Sequence, residues 1–363
     1  MRNSIRLVVL ACAGALALAF AGGAFATQRA EIFQTSYALN GSPPLDLIVS
    51  QDESDAAPAK VQILIPSGYG VSLSAAPNTT IGDVTALAKA TVAGTPIKLP
   101  LAGPIQTADP SAYATQATQC TGKPTHQAVW ILQLTAVGNT LPVPLYVDAG
   151  PTGVAAATIQ VCLPSPYIPE SAGGAKFGAQ LLTAKLHFNS GFTNPGTANV
   201  YVWHVITTPY IVGTGTPNPT ATVESRAVVP YPYALTLKRL KSKKKTAVIL
   251  GGKLSDQSGG IAGVRPRLFA ASTAAKLAKA VSDDKATGVA GKTNGSGNYK
   301  VTRKSSRKTT FFRTVFGSLD VTTSACTAPV LAPGGCVSAT QSKVVSGVVK
   351  VAGVKPKKKR RHH

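Results

Sequence analysis

The chain has 363 residues, including 34 glycines and 26 prolines, and its formal net charge is +23. So many turn-forming residues, with only 14% charged ones, favour short β-strands over helical bundles, and a hydrophobic fraction of 44% argues against a globally disordered chain. The length allows a signal segment and two domains, each with a hydrophobic core of its own.

Residues 1–26 have the pattern of a secretory signal peptide. Arg2 and Arg6 supply the positive start, Leu7–Phe20 is an apolar run of 14 residues, and Ala24-Phe25-Ala26 is a small-residue cleavage site. A membrane anchor needs about 20 apolar residues, which this run does not supply. We therefore expect a mature chain that begins near Thr27, has no transmembrane segment, and is secreted, extracellular or associated with the cell surface.

Residues 27–230 predict a slightly acidic β-sandwich domain, with 8 Lys and Arg against 10 Asp and Glu. Seven segments rich in β-branched and aromatic residues lie between turn signals: Leu45–Val49, Lys60–Ile65, Ala128–Leu134, Leu141–Val147, Thr158–Leu163, Gln180–Phe188 and Asn199–Ile206. The connections, rich in Pro and Gly, do not supply the helices of a TIM barrel or a Rossmann fold. One helical turn is predicted at Ile81–Ala90, from the spacing of its apolar residues.

The boundary to a second domain is placed at Val229-Pro230-Tyr231-Pro232, where the charge balance changes sign. From residue 231 to the end there are 27 Lys and Arg against 4 Asp and Glu. Residues 231–351 predict a basic β-sandwich domain, and residues 352–363 a basic disordered tail.

Glycine-rich turns give the second domain its most specific sequence pattern. Gly251–Asp256 and Gly259–Val264 are followed by Thr293–Val301 and Thr309–Arg313. This pattern resembles the bacterial immunoglobulin-like modules of secreted surface proteins and is similar to carboxypeptidase-regulatory-like modules. The resemblance covers residues 231–351 only and implies an immunoglobulin-like sandwich without a catalytic site. The chain departs from it at Ser272–Val281, which predicts a short helix capped by Ser272.

Four cysteines remain after the signal peptide, and four cysteines allow three pairings. The pairing that keeps each bond inside one domain joins Cys120 to Cys162 and Cys326 to Cys336. Disulfides are the expected state in an exported protein, and these spacings fit no zinc site.

The sequence contains none of the common catalytic motifs, such as G-x-S-x-G, H-E-x-x-H or a P-loop. His126, His187 and His204 have no partner at a recognisable spacing, so we interpret them as structural or surface residues. The acidic run Asp52-Glu53-Ser54-Asp55 lacks the glycine turn and distant carboxylate of a calcium loop and is interpreted as a solvated loop. We therefore expect no catalytic residue, no metal and no cofactor.

Positive charge is the strongest functional signal, because clustered cations bind polyanions with an affinity that falls as salt rises. The residues that we expect to dock on an anionic surface are Lys241, Lys243, Lys244, Lys245, Lys357, Lys358, Lys359, Arg360 and Arg361. The pairs Arg303-Lys304 and Arg307-Lys308 add to this charge. The alternative is a solvated face that serves only solubility. No aromatic residues are interleaved with the clusters, which argues against specific nucleic-acid binding.

These observations predict an exported, non-enzymatic structural or adhesive protein of the bacterial cell envelope or extracellular space. Its partner would be an anionic envelope polymer or a lipid surface. The first alternative is an extracellular carbohydrate- or peptide-binding module, which an exposed aromatic groove around Trp130, Tyr201 or Trp203 would favour. The second alternative is a hydrolase with an unrecognised site, which a pocket that holds His187 or His204 beside a carboxylate would favour.

Overall fold

The computed structural model of the protein describes residues 27–92, 95–136, 138–172, 178–243, 246–317 and 324–354. The predicted signal peptide lies outside these residues, as does the predicted tail from residue 355 onward. Strands dominate the described chain, and its helices are short. The predicted all-β fold class is therefore confirmed.

Thirteen strands and a short helix cover the first part of the chain. The strands are Arg29–Gln34 (β1), Leu45–Ser50 (β2), Pro58–Pro66 (β3), Gly70–Val71 (β4), Thr80–Val92 (β5), Thr95–Ala108 (β6), Ala128–Ala136 (β7), Asn139–Ala149 (β8), Ala155–Cys162 (β9), Gln180–Phe188 (β10), Phe192–Thr193 (β11), Asn199–Pro209 (β12) and Val223–Tyr231 (β13), and the helix is Ala114–Thr121 (α1). Each of the seven predicted strands is present. Six strands were not among them: β1, β5, β6, β13 and the two-residue strands β4 and β11.

The helical turn predicted at Ile81–Ala90 is wrong, because this segment lies within strand β5. β5 is hydrogen-bonded to β6 on one side and to β10 on the other. Val84, Ala86 and Ala88 are buried at every second position, which is the period of a strand. Gly82 allows the close pairing with β10, since a β-carbon there would lie 2.0 Å from the carbonyl oxygen of His187.

One sheet of twelve strands organises this part of the fold, in the order β1-β2-β10-β5-β6-β7-β8-β9-β3-β12-β13 and then β22, the strand Cys336–Gln341. Its two ends approach each other, because Ser338 donates a hydrogen bond from Oγ to the carbonyl of Gln28 over 2.6 Å. The sheet thus curls around a core in which Trp130 and Trp203 are fully buried.

The second half forms a smaller sandwich of two five-stranded sheets. Its elements are Ala234–Leu235 (β14), Lys238–Leu240 (β15), Ala247–Asp256 (β16), Gly259–Gly260 (β17), Arg267–Ala271 (β18), Ala274–Ser282 (α2), Gly288–Val289 (β19), Asn298–Lys304 (β20), Thr310–Phe316 (β21), Ser324–Thr327 (α3), Val344–Val345 (β23) and Val349–Val351 (β24). Strand β16 pairs with β14, β15, β17 and β20, and β21 pairs with β18, β23 and β24. Leu250 and Val301 from the first sheet share one core with Phe312 and Val351 from the second.

The short helix predicted at Ser272–Val281 is confirmed as α2, but its predicted cap is wrong. Thr273 is the residue whose hydroxyl accepts a hydrogen bond from the backbone N–H of Lys276, over 3.2 Å. Leu277 and Val281 face inward from α2 and pack on the outer side of β18 and β21.

Strand β22 falls in the range predicted for the second domain, yet it pairs in parallel with β13 of the large sheet. The chain therefore returns from the small sandwich to the large sheet before it makes β23 and β24. At the predicted boundary, Val229 and Tyr231 are fully buried, and they complete β13.

Candidate anion-binding surface

Two basic turns of the small sandwich lie side by side. The first connects β15 to β16, and the second connects β20 to β21. β16 and β20 are antiparallel, with Ala247 opposite Lys304, so that the start of one strand meets the end of the other. A backbone hydrogen bond of 2.9 Å from Ser305 to Thr246 joins the two turns.

The beginning of the predicted basic tail reaches the same place. Val354, the last described residue, donates its backbone N–H to the carbonyl of Ser306 over 2.9 Å. Two basic turns and the residue that precedes the first cation of the basic tail therefore meet at one end of the sandwich. We call this surface the basic end and define it by Lys241, Lys243, Arg303, Lys304, Arg307 and Lys308.

The cations of the basic end face solvent and have no acidic partner in the described part of the chain. All of them are exposed except Arg303, which is half-buried. The ion pairs that the structure shows involve other residues. Asp283 pairs with Lys279 and Lys285, and Asp284 pairs with Arg267. The charge at the basic end is thus left uncompensated.

The basic end is remote from the large sheet. β14 follows β13 of that sheet in the chain and pairs with Leu254 and Ser255, at one end of β16. The basic end begins at Ala247, at the other end of the same strand. The seven residue steps from Ala247 to Leu254 span about 23 Å of extended chain. This separation leaves the cations accessible to a partner of large size.

A cleft of about 570 Å³ opens between the two small sheets at this end. Its lining residues are the cations Arg303, Lys304 and Lys308, the hydroxyl-bearing Thr287, Thr302, Ser306 and Thr310, and the apolar Val248, Ala270, Phe312, Val351 and Ala352. Among the residues that the structure describes, no Asp or Glu lines this cleft. The cleft is therefore suited to a ligand that carries negative charge and some apolar surface.

Of the residues predicted to dock on an anionic surface, Lys241 and Lys243 lie on the basic end. The remaining ones lie outside the described residues: Lys244, Lys245, Lys357, Lys358, Lys359, Arg360 and Arg361. The structure adds four cations that the docking prediction did not include, namely Arg303, Lys304, Arg307 and Lys308. Their charge was visible in the sequence, but their place beside Lys241 depends on the pairing of β16 with β20.

Both disulfides have the pairing predicted from the sequence. Cys120, in α1, is bonded to Cys162 at the end of β9, and Cys326, in α3, is bonded to Cys336 at the start of β22. Each bond therefore fixes a short helix to a strand of the large sheet. Disulfides of this kind persist in oxidising compartments.

A buried cluster on β13 holds the chain between Cys326 and Cys336. Glu224 accepts hydrogen bonds from His204 over 2.7 Å, from Arg226 over 2.5 Å and from the backbone N–H of Leu331 over 2.7 Å. Arg226 also donates to the carbonyls of Ala325 and Pro329. Burial alone raises the pKa of Glu224, but the hydrogen bonds from His204, Arg226 and Leu331 outweigh it and hold the pKa at about 2.

Each of the three histidines predicted to be structural or surface residues has a carboxylate partner. His126 contacts Asp148 over 2.7 Å, His187 contacts Asp46 over 2.5 Å, and His204 contacts Glu224. None of them lines the cleft at the basic end. The pair that involves His204 belongs to the cluster that holds the disulfide loop.

His126 is the histidine whose surroundings come nearest to a catalytic arrangement, because its Nε2 lies 2.9 Å from the hydroxyl oxygen of Thr121. That hydroxyl is occupied at the end of α1, where it donates to the carbonyl of Ala117 and accepts from the backbone N–H of Lys123. The side chain of His126 is only 1% exposed. This arrangement fixes the end of a helix and presents no accessible nucleophile.

The aromatic residues considered for a binding groove are in the interior. Trp130 is 1% exposed, Tyr201 7% and Trp203 0%. Tyr201 and Trp203 pack edge-on against Tyr69. They belong to the core of the large sheet and form no exposed aromatic groove.

In the parts of the chain that the structure covers, no helix has the length and hydropathy needed to cross a bilayer. The same residues contain no group of three or more His, Cys, Asp or Glu side chains placed to hold a metal ion.

No protein-family model and no curated protein matches the sequence. Among solved structures, the full-length major pilin SpaD from Corynebacterium diphtheriae matches over 79% of this chain and 55% of its own, with 10% identity and a TM-score of 0.23. Domains D2 and D3 of the same pilin match over 78% and 81%, with 9% identity and a TM-score of 0.24. Red sea bream transglutaminase matches over 88% of this chain and 31% of its own, with 10% identity and a TM-score of 0.16. TM-scores this low support no conclusion on fold or function.

Proposed function

We propose that the protein is an exported, non-enzymatic structural or adhesive protein of the bacterial cell envelope or extracellular space, and that it docks on an anionic surface through its basic end. The observation that carries this proposal is the convergence of two basic turns and the start of the basic tail, with no carboxylate among them. The predicted signal peptide and the two disulfides support export.

If the protein docks by electrostatic attraction, its affinity for the anionic surface should depend on the salt concentration. Each cation that contacts a phosphate or similar group of a polymer releases counterions, so that affinity falls as salt rises. Several exposed cations in one place act together, whereas isolated ones contribute little against screening.

The test is co-sedimentation of the chain from Thr27 to His363 with bacterial envelopes at increasing salt. A rim variant carries Lys241→Gln, Lys243→Gln and Arg307→Gln, which are exposed and do not line the cleft. For a flexible single-stranded polyanion the slope of log affinity against log salt is about 0.7 per contact, so the rim variant should lower this slope by about 2.

A matched control removes the same charge elsewhere, through Lys253→Gln, Lys276→Gln and Lys292→Gln. These three residues are exposed and lie away from the basic end. The control should bind like the unmodified protein. Docking through the basic end is refuted if the rim and control variants weaken binding equally, or if salt does not release the protein from envelopes.

A further inference from the structure

We propose that the cleft at the basic end binds the phosphate groups of an envelope polymer that carries a polyol- or sugar-phosphate backbone, with Arg303 as the residue that recognises the phosphate. This inference rests on the proposed docking function and assigns it a specific site and ligand chemistry. It differs from docking by exposed charge alone, because it requires one arginine in a fixed orientation.

Arg303 is held in place before any ligand arrives. Its position on β20 is fixed by pairing with Val248 on β16. One terminal nitrogen of its guanidinium donates to the carbonyl of Thr287 over 3.0 Å. The group lies directly against Gly288, where a β-carbon would come within 1.9 Å of that nitrogen. The guanidinium is therefore oriented by backbone contacts, and glycine at position 288 makes room for it.

Guanidinium is the side-chain group best suited to a tetrahedral oxyanion, because its fork of N–H donors contacts two oxygens at once. Arg303 has five such donors, and the hydrogen bond to Thr287 uses one of them. Arg303 is also one of the residues that line the cleft.

The neighbouring groups in the cleft also complement a phosphate. Lys304 and Lys308 add two charges to that of Arg303, so the cleft carries three cations. The hydroxyl oxygen of Ser306 accepts the backbone N–H of Lys308 over 3.1 Å, so its hydrogen remains available for donation. Three cations in one cleft match a polymer with repeated anionic groups, because each phosphodiester of a polyol- or sugar-phosphate chain carries one negative charge.

The shape and the apolar part of the cleft favour a polymer over a membrane. Val248, Phe312 and Val351 line the inner part of the cleft, and because each is at most 6% exposed they offer a small apolar surface to the carbon atoms of a polyol or sugar. A cleft of about 570 Å³ is in the size range of ligand sites and admits a narrow chain. A flat bilayer surface would contact the exposed rim but would not enter the cleft.

The experiment is calorimetric titration of the chain from Thr27 to His363 with poly(glycerol phosphate). Arg303→Lys keeps the charge but removes the two-pronged contact, and it should weaken binding about 10-fold. Arg265→Lys is the matched control at an exposed arginine outside the cleft and should leave the affinity unchanged. Lys308→Gln, at an exposed cleft residue, provides a second variant whose effect does not depend on core packing.

The ligands used for comparison separate the possible sources of anionic charge. Vesicles of phosphatidylglycerol should bind the unmodified protein and Arg303→Lys equally, because a flat surface contacts only the rim. Polyglucuronate should bind more weakly than poly(glycerol phosphate). If it binds as tightly and loses as much affinity in Arg303→Lys, the ligand is a carboxylate polymer and the phosphate assignment is wrong, since a guanidinium also contacts a carboxylate through two oxygens. If Arg303→Lys and Lys308→Gln both bind poly(glycerol phosphate) like the unmodified protein, the cleft is not the site. If Arg303→Lys weakens binding to vesicles as much as binding to the polymer, the ligand is a lipid headgroup and the polymer assignment is wrong.

Failure of the cleft assignment can be distinguished from failure of the docking proposal. If the rim variant loses salt-sensitive envelope binding while Arg303→Lys retains its affinity for the polymer, docking stands and the cleft assignment falls. If envelopes bind the rim and control variants equally, the docking proposal itself falls.

Discussion

Replacement of Glu224 by glutamine should remove a pH-dependent part of the stability that the cluster on β13 supplies. The side chain of Glu224 has no exposed surface, and its pKa lies at about 2 instead of 4.5. The fold therefore stabilises the carboxylate form, whose contribution is complete above about pH 5 and is lost as pH falls through 2. At about 1.4 kcal/mol for each pKa unit, the contribution to the free energy of unfolding is about 3 kcal/mol.

The assay is urea unfolding of the unmodified protein and of Glu224→Gln at several values between pH 7 and pH 2, followed by tryptophan fluorescence. At pH 7 the variant leaves the buried Arg226 without its charged partner, so it should be less stable by about 3 to 5 kcal/mol. Between pH 5 and pH 2 it should lose about 3 kcal/mol less than the unmodified protein.

Glu53→Gln is a suitable control, because Glu53 forms its ion pairs with Lys89 and Lys98 on the surface, where solvent screens them. This control should follow the unmodified protein closely. The assignment of acid sensitivity to Glu224 is refuted if Glu224→Gln loses stability between pH 5 and pH 2 as steeply as the unmodified protein does.

Three further substitutions test the packing. Gly103→Ala should destabilise the protein by about 3 kcal/mol, because its β-carbon would lie 1.7 Å from the carbonyl oxygen of Gln133. Gly295→Ala is the control: its β-carbon meets nothing within 4 Å, so the change should be neutral or slightly stabilising. Equal urea midpoints for the two variants would contradict this reasoning. Tyr231→Phe removes the hydroxyl that donates to the side-chain oxygen of Gln34 over 2.6 Å, so unfolding should become easier by about 1 to 3 kcal/mol. A change in the free energy of unfolding below about 0.5 kcal/mol would show that the hydroxyl does not stabilise this site.

The strands that could be predicted from the sequence are segments rich in β-branched, aromatic or other apolar residues between turn signals, such as Ala128–Leu134, which is buried almost throughout. Gln180–Phe188 is one of them, with a predicted range equal to that of β10. Strand β5 was missed because it contains alanine, threonine and lysine, and because Val84, Leu87 and Ala88 also match the spacing of a helix. Its strand conformation is decided by pairing with β6 and β10, and β10 lies about a hundred residues away in the chain.

The candidate site was predictable in its charge but not in its geometry. The count of cations after residue 231 identified the half of the chain that carries them. The cleft, however, depends on the register that places Ala247 opposite Lys304 and on the contact of Val354 with Ser306. Such long-range pairings have no local sequence signature. The parallel pairing of β22 with β13 was not foreseen for the same reason.

The position of the basic end also determines how the charge can act. Charges in salt of physiological strength are screened beyond about 8 Å. The length of β16 places the basic end about 23 Å from Leu254, where β14 meets that strand. An anionic surface in contact with Lys241 and Arg307 would therefore attract the cations at that end and would hardly affect the acidic residues of the large sheet. Docking strength should follow the local charge of the basic end and not the net charge of the protein. The rim and control variants, which have equal net charge, distinguish between these two dependences.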